Sequence, residues 1–255
     1  MRARRINRFA VAAAVALSVL LAGCSTQPIV EGEEPEEAVF PADFIVSEDV
    51  ETVEKIGDPW QGLNKAIYRF NYRFDNYVLL PAVIGYTKIT PRFLRTGVHN
   101  FYTNFYNIRT IYNSVLQFSG TKTFQTTGRL LVNSTIGLLG LFDPATAMGI
   151  PQHQEDFGQT LGKWGVGTGP YIVLPLLGPS NVRDAVGVGV DAVTMNWIRE
   201  EIVPLSTEWR IVWSVLYAID TRLHVKFLYY QTGSPWEYEL VRTLYTTKRE
   251  LDIEK

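Results

Sequence analysis

The sequence of 255 residues contains one cysteine and three histidines. A single cysteine cannot form a disulfide within the chain, and the histidines, at 99, 153 and 224, have no partner at a spacing such as H-E-x-x-H. The G-x-S-x-G motif of many hydrolases is also missing. A net charge of −2 argues against the strongly basic surface that nucleic-acid binding needs. The sequence therefore predicts no catalytic residues, no metal and no cofactor.

Long apolar runs are missing from most of the chain. After Cys24 the longest are 136–142 and 171–177, and each is interrupted or bordered by Gly or Pro. A membrane-spanning helix needs about 20 apolar residues. The body is therefore expected to be either soluble or an unusual assembly of short helices in lipid.

The amino terminus has the order of a secretory signal peptide. Four arginines among the first eight residues precede an apolar segment, 9–20, and the small residues of Leu21-Ala22-Gly23-Cys24 follow. This arrangement resembles a bacterial lipobox, which predicts cleavage after residue 23 and lipidation of Cys24. Ser25 in place of Asp favours sorting to the outer membrane.

Residues 24–57 differ in composition from the rest of the chain. Between 25 and 57 there are ten acidic residues and one basic residue, and the share of apolar side chains is lower than in the rest of the chain. Such a segment cannot bury enough apolar surface to offset its ordering entropy. The predicted organisation is a signal peptide over 1–23, an acidic flexible tether over 24–57 and a helical body over 58–255.

Helical patterns dominate the body, which predicts an all-α fold. Asp58-Pro59-Trp60-Gln61 is a helix start with Asp58 as cap, and Pro81 is the expected end of that helix. Ser234-Pro235-Trp236-Glu237 is the predicted start of the last helix. The apolar side chains of the first stripe, which are expected at a core or interface, are Leu63, Ile67, Phe70, Phe74 and Tyr77.

Three segments leave alternatives open. The apolar hairpin 137–151 is either a buried core element or a membrane-dipping, gating one. His153 beside Glu155 and Asp156 is either an acid–base pair or part of a solvated loop. The stretch from Gly187 to Ala192 fits G-x-G-x-x-A, but no strand pattern precedes it, so its glycines are expected to permit close helix contact.

Several motifs together resemble the MlaA/VacJ family of outer-membrane lipoproteins. They are DPWQGLN at 58–64, NSTIG at 133–137, EDFGQTLG at 155–162, WGVGTGPY at 164–171 and GPSNVRD at 178–184. The resemblance implies a ring of short amphipathic helices lying in the inner leaflet of the membrane around an amphipathic channel. It also implies removal of misplaced phospholipid from the outer leaflet to maintain lipid asymmetry. The implied partners are phospholipid, a trimeric outer-membrane porin and a soluble periplasmic phospholipid carrier.

Site hypotheses follow for two groups of residues besides Cys24. A gating hairpin is expected to use Gly137, Gly140, Phe142, Asp143 and Pro144. Lys163, Arg183 and Asp184 are candidates for guiding a phosphate-bearing head group, the alternative being that Arg183 and Asp184 only pair with each other. The competing functions are an enzyme acting on envelope lipid and a structural or surface-interaction lipoprotein without lipid transport.

Overall fold

The computed structural model describes residues 57–225, 227–230 and 236–255. The predicted signal peptide, the predicted lipidation site Cys24 and the predicted acidic tether up to residue 56 lie outside the described residues, as do Ser234 and Pro235 of the predicted last-helix start. The backbone of Gly57, at the end of the tether, accepts a hydrogen bond from the Tyr171 amide at 3.0 Å. The end of the tether is therefore joined to the body.

Helices make up most of the described chain, as the sequence predicts. They are α1 (Gln61–Phe74), α2 (Leu80–Ile89), α3 (Arg92–Leu116), α4 (Gly120–Thr135), α5 (Pro144–Ala147), α6 (Phe157–Lys163), α7 (Val182–Ile202), α8 (Thr207–His224) and α9 (Glu237–Glu254). A π-helical turn, Asp75–Leu79, joins α1 to α2. Helices α3 and α4 pack along each other, and α6 packs against α7.

Two predictions about the first helix are wrong. Asp58 does not cap α1; its carboxylate accepts hydrogen bonds from the Asn64 amide at 2.7 Å and the Tyr238 hydroxyl at 2.6 Å. Pro81 does not end the helical region, because the π turn intervenes and Pro81 lies in the first turn of α2, where its missing N–H costs little.

A two-stranded sheet interrupts the otherwise helical fold. Strands β1 (Tyr171–Leu174) and β2 (Gly178–Asn181) are antiparallel, with Tyr171 opposite Asn181. Gly178 has φ +86°, a value that favours glycine. The all-α prediction is correct for the architecture but missed this hairpin, whose side chains Tyr171 and Val173 pack with Tyr68 and Tyr238.

The interior of the body is unusually polar. The described chain has 23 buried polar or charged residues and nine buried apolar ones. In α1 the buried positions are Asn64, Tyr68 and Asn71. Leu63 and Phe70 of the predicted apolar stripe face outward, 61% and 50% exposed, whereas Ile67 is partly buried against the core. The amphipathic pattern of α1 is therefore real, but its direction is the reverse of that in a water-soluble protein.

Close helix contact through glycine is confirmed at one of the two predicted positions. A Cβ on Gly187 of α7 would lie 2.3 Å from the Gly158 backbone nitrogen of α6, whereas a Cβ on Gly189 would meet nothing within 4 Å. No helix among the described residues is both long enough and apolar enough to cross a membrane.

Candidate functional site

A cavity of about 450 Å³ lies between α3, the β hairpin, α7, α8 and α9. Its apolar lining includes Phe105, Tyr106, Leu174, Leu177, Val188, Met195, Trp213 and Tyr217, and its charged lining consists of Arg109, Asp156, Asp184, Asp191, Arg199 and Arg249. The cavity is therefore amphipathic, and its size is within the range of small-ligand sites.

Arg249 of α9 joins two carboxylates in the cavity wall. Its Nη1 and Nη2 donate to Asp156 at 2.8 and 2.9 Å, and its Nε donates to Asp184 at 2.7 Å. Tyr245 and Asn181 also donate to Asp184, at 2.7 and 2.8 Å. We call Asp156, Asp184 and Arg249 the Arg249 network; it ties α9 to α6 and α7.

The charges of the Arg249 network stabilise one another. Burial by itself raises the pKa of the Asp184 and Asp156 carboxyls, but the hydrogen bonds and charge of Arg249 outweigh it, so both pKa values lie below the usual value. Burial likewise lowers the pKa of Arg249, and the two carboxylates reverse that shift and raise it. All three groups therefore stay ionised at neutral pH.

Two other arginines in the lining have fewer partners. Arg199 is 8% exposed, and its nearest carboxylate contact is Glu200, 3.7 Å away. Arg109 lies with its guanidinium 5.6 Å from the Tyr106 ring centre. The Nε atoms of both are buried without a hydrogen-bond partner among the described residues. We call Arg109 and Arg199 the under-bonded arginines, and an anionic ligand group suits them.

Asp191 of α7 also lines the cavity, is buried and is held by neutral donors. The Tyr112 hydroxyl donates at 2.5 Å, the Asn113 amide at 3.2 Å and the Phe157 backbone N–H at 3.0 Å. These bonds join α3, α7 and the start of α6 at the cavity. Asp191, Arg109 and Arg199 were not predicted as site residues, since no local motif marks them.

The three predicted head-group residues fall in different places. Asp184 lines the cavity, whereas Lys163 is exposed at the end of α6 and Arg183 does not belong to the lining. Arg183 is buried, with its Nε 3.0 Å from Asp184 and its Nη1 donating to the Val166 carbonyl. The alternative in which Arg183 pairs with Asp184 matches this geometry, and the pair is buried rather than exposed.

The turn of the predicted gating hairpin is held by a network around Asp143. Arg129, 1% exposed, donates to its two carboxylate oxygens at 3.0 and 2.8 Å, and the Asn133 amide donates at 2.9 Å. Asp143 also accepts from the Thr146 amide at 3.1 Å and caps the short α5, which Pro144 begins. These donors outweigh partial burial and lower the pKa of Asp143.

The arm before that turn follows an unusual path against α3. Leu138 and Leu139 have φ of +51° and +59°, and Gly140 has φ +90°. A Cβ on Gly140 would lie 2.6 Å from the Asn104 side chain, and one on Gly137 would lie 2.4 Å from a backbone oxygen. Phe142 is 60% exposed. The hairpin has an apolar exposed surface and a tightly packed polar base.

His153 is not paired with the neighbouring carboxylates. Its Nε2 lies 2.7 Å from the Gln125 side-chain oxygen, Glu155 accepts from Lys122 at 2.5 Å, and Asp156 belongs to the Arg249 network. Burial, followed by the charge of Lys122, lowers the pKa of His153. This arrangement does not favour the acid–base interpretation.

Comparison with known proteins gives a consistent result. The family model described as MlaA lipoprotein matches residues 56–252. Two relatives described as "Intermembrane phospholipid transport system lipoprotein MlaA" come from Shigella flexneri and Haemophilus influenzae. They are 31% and 30% identical, over 76% and 68% of this chain and 77% and 70% of theirs.

One further sequence relative matches about half of this chain, and one solved structure matches more than three quarters of it. An uncharacterized protein of Rickettsia typhi is 36% identical over 143 residues, and the match spans 56% of this chain and 55% of that protein. A solved structure described as "Structural basis for maintenance of bacterial outer membrane lipid asymmetry" superposes with a TM-score of 0.62 at 25% identity. That superposition covers 77% of this chain and 99% of the other.

Proposed function

The chain belongs to the MlaA lipoprotein family, and from that membership we propose that it removes misplaced phospholipids from the outer leaflet of the outer membrane. It passes them to a soluble periplasmic carrier for retrograde transport, in association with a trimeric porin, and so maintains lipid asymmetry. It does no covalent chemistry on the lipid. The reversed packing of the body and the amphipathic cavity support this proposal.

The exposed apolar surface supports immersion of the body in lipid. Large apolar side chains are exposed on almost every long helix; examples are Phe93 at 73%, Phe124 at 82% and Trp209 at 62%. Large exposed apolar patches mark interaction or membrane surfaces in soluble proteins. We infer that the helices lie in the inner leaflet with these faces toward acyl chains, while polar interior groups bond to one another.

The cavity is the observation that carries the transport proposal. A phospholipid needs an apolar path for its chains and a polar one for its phosphate. The under-bonded arginines provide cationic N–H donors, and the aromatic and aliphatic lining provides the apolar surface. The Arg249 network supplies no further cation, because its single guanidinium is already bonded to two carboxylates. Phosphate contact at Arg109 and Arg199 is expected to be modest, since a channel must release what it binds.

Outer-leaflet phospholipid labelling tests this function. Cells lacking the protein should expose more phospholipid, the wild-type gene should restore the normal level, and Arg199→Gln should not restore it. Arg210→Gln is the matched control: Arg210 lies on α8, is exposed and pairs with Glu200 at 2.6 Å, outside the cavity lining. Unchanged labelling after gene loss would support the structural lipoprotein instead. Lipid cleavage by the pure protein would support the enzyme.

We also propose that the hairpin 137–151 gates the lipid channel, although none of its residues belongs to the lining of the described cavity. The contact to lock is between Gly97 of α3 and Leu141, since a Cβ on Gly97 would lie 3.8 Å from the Leu141 side chain. Cysteines at these two positions, joined by a short reducible cross-linker, should block lipid removal, and reduction should restore it. Normal transport in the cross-linked state would leave the hairpin a packing element only.

Lipid anchoring at Cys24 is the remaining part of the proposal. The Leu21-Ala22-Gly23-Cys24 motif predicts that Cys24→Ala accumulates as an unprocessed precursor. Membrane fractionation with radiolabelled palmitate checks this, with Ser25→Asp as a companion variant that tests sorting. Normal maturation of Cys24→Ala would contradict the anchor.

A further inference from the structure

Two of the three histidines meet outside the cavity, although they are far apart in the sequence. His99 lies on α3 and His224 ends α8, and their imidazole rings stack with centres 3.6 Å apart and an angle of 23° between planes. Asp220, one helical turn before His224, is 2% exposed and lies 2.9 Å from His99 Nδ1. This cluster has no role in the proposed lipid path.

One oxygen of the Asp220 carboxylate lacks a donor. Oδ2 faces His99 Nδ1, whereas Oδ1 is buried and has no hydrogen-bond partner within the part of the chain that the structure describes. The nearest positive candidate is His224 Nδ1, 3.5 Å from Oδ1, but that nitrogen already lies 2.8 Å from the Asp220 carbonyl oxygen. A buried carboxylate oxygen without a partner is costly, and a bound cation would remove that cost.

Both imidazoles turn the same ring nitrogen toward residue 220. His99 Nδ1 lies 2.9 Å from Asp220 Oδ2, and His224 Nδ1 lies 3.5 Å from Asp220 Oδ1 and 2.8 Å from the Asp220 carbonyl oxygen. An ion between them would bind Nδ1 of both rings together with the carboxylate, and each neutral ring would keep its single N–H on Nε2.

We propose that His99, Asp220 and His224 form a site for a divalent transition-metal ion, with zinc as the best match. Two imidazoles and a carboxylate are ligands that zinc accepts, and the remaining positions would be filled by water. One ligand atom from each residue lies within 4.8 Å of the others. Ligand atoms on one zinc ion are roughly 3.3 Å apart at Zn–N distances near 2.1 Å, so the side chains must move about 1–1.5 Å closer.

That adjustment is open to the imidazoles because both are partly exposed, 37% for His99 and 41% for His224. The bound ion would clamp the end of α8 to α3. Since α8 also supplies Trp213, Ser214 and Tyr217 to the cavity lining, the clamp would fix one wall of the cavity. The site departs from the expectation of no metal, because no local spacing in the sequence brings these residues together.

Metal titration of the purified full-length protein, without a polyhistidine tag and after chelator treatment, tests this site. We expect one zinc per chain by calorimetry and elemental analysis, and a cobalt complex with visible d–d absorption. His99→Gln and His224→Gln should each weaken zinc binding at least tenfold. His153→Gln is the control, because His153 bonds to Gln125 and not to this cluster, and it should bind zinc as wild type does.

Helical circular dichroism and the thermal midpoint accompany each titration. Zinc should raise the midpoint of wild type and His153→Gln and leave that of His224→Gln unchanged. The proposal is overturned by the absence of stoichiometric binding to folded wild-type protein, or by zinc affinity that stays the same in both cluster variants. Equal loss of binding in His153→Gln would likewise assign the metal to a different place. None of these outcomes depends on lipid transport.

Discussion

Arg249 and the under-bonded arginines, Arg109 and Arg199, line the same cavity but differ in how many hydrogen bonds they make. Arg249 makes three charge-assisted hydrogen bonds to two carboxylates, whereas the Nε atoms of Arg109 and Arg199 have no partner among the described residues. Buried charges that are fully paired hold elements together, and removing one partner leaves the others uncompensated. The comparison therefore separates a structural charge cluster from charges that are available to a ligand.

Arg249→Met should have the largest effect on stability. It leaves Asp156 and Asp184 without their main cation, and breaking a buried pair of this kind costs about 3–5 kcal/mol of unfolding free energy. Denaturant unfolding in detergent micelles measures the change, with Arg210→Met as the control that loses only an exposed pair, worth ~0–1 kcal/mol. Similar losses in both variants would contradict the structural role of the Arg249 network.

Acid should destabilise the protein through the same network. The pKa values of Asp156 and Asp184 are lowered in the folded state, so their contribution is fully present above the unfolded-state pKa near 3.9. It is lost as the pH falls from there through the lower folded-state pKa values. Unfolding free energy measured from pH 7 to pH 3 should decline below about pH 4 in wild type. A shallower decline is expected in Arg249→Met.

Helices α6 and α7, which the Arg249 network joins to α9, allow a test with a smaller expected loss of stability and a matched control. In Gly187→Ala the new Cβ would meet the Gly158 backbone nitrogen at 2.3 Å, so α6 and α7 must separate, at a cost of about 1–3 kcal/mol. Gly189→Ala has open space and should be neutral or stabilising by up to ~1 kcal/mol, since alanine favours helix. Thermal midpoints of the two variants should move in opposite directions or differ clearly in size.

Arg199→Gln should change stability least. Its guanidinium has a buried Nε without a partner and only a 3.7 Å contact to an exposed carboxylate, so removing the charge should alter the unfolding free energy by ~0–1 kcal/mol. The same variant is expected to fail in lipid removal. A loss as large as that of Arg249→Met would place Arg199 with the structural charges and erase the contrast between the two groups.

Most helices could be predicted from the sequence, because their local signals are strong. Periodic apolar residues indicated the region of α1, and the glycine at 187 was correctly assigned to close helix packing. Pro81 was wrongly predicted to end the first helix, and the β hairpin was not predicted at all. A π turn before Pro81 and the tertiary packing of Tyr171 and Val173 override the local preference.

The family motifs, the helical class and the amphipathic pattern of α1 can all be read from the amino-acid order alone. Tertiary packing fixes which face of α1 is inside, because periodicity reports that two faces differ and not which one meets the protein interior. It also decided that Arg199, rather than the motif residue Lys163, lines the cavity, and that His99 meets His224. Each of these outcomes depends on contacts between helices distant in sequence, and local sequence patterns carry no record of such contacts.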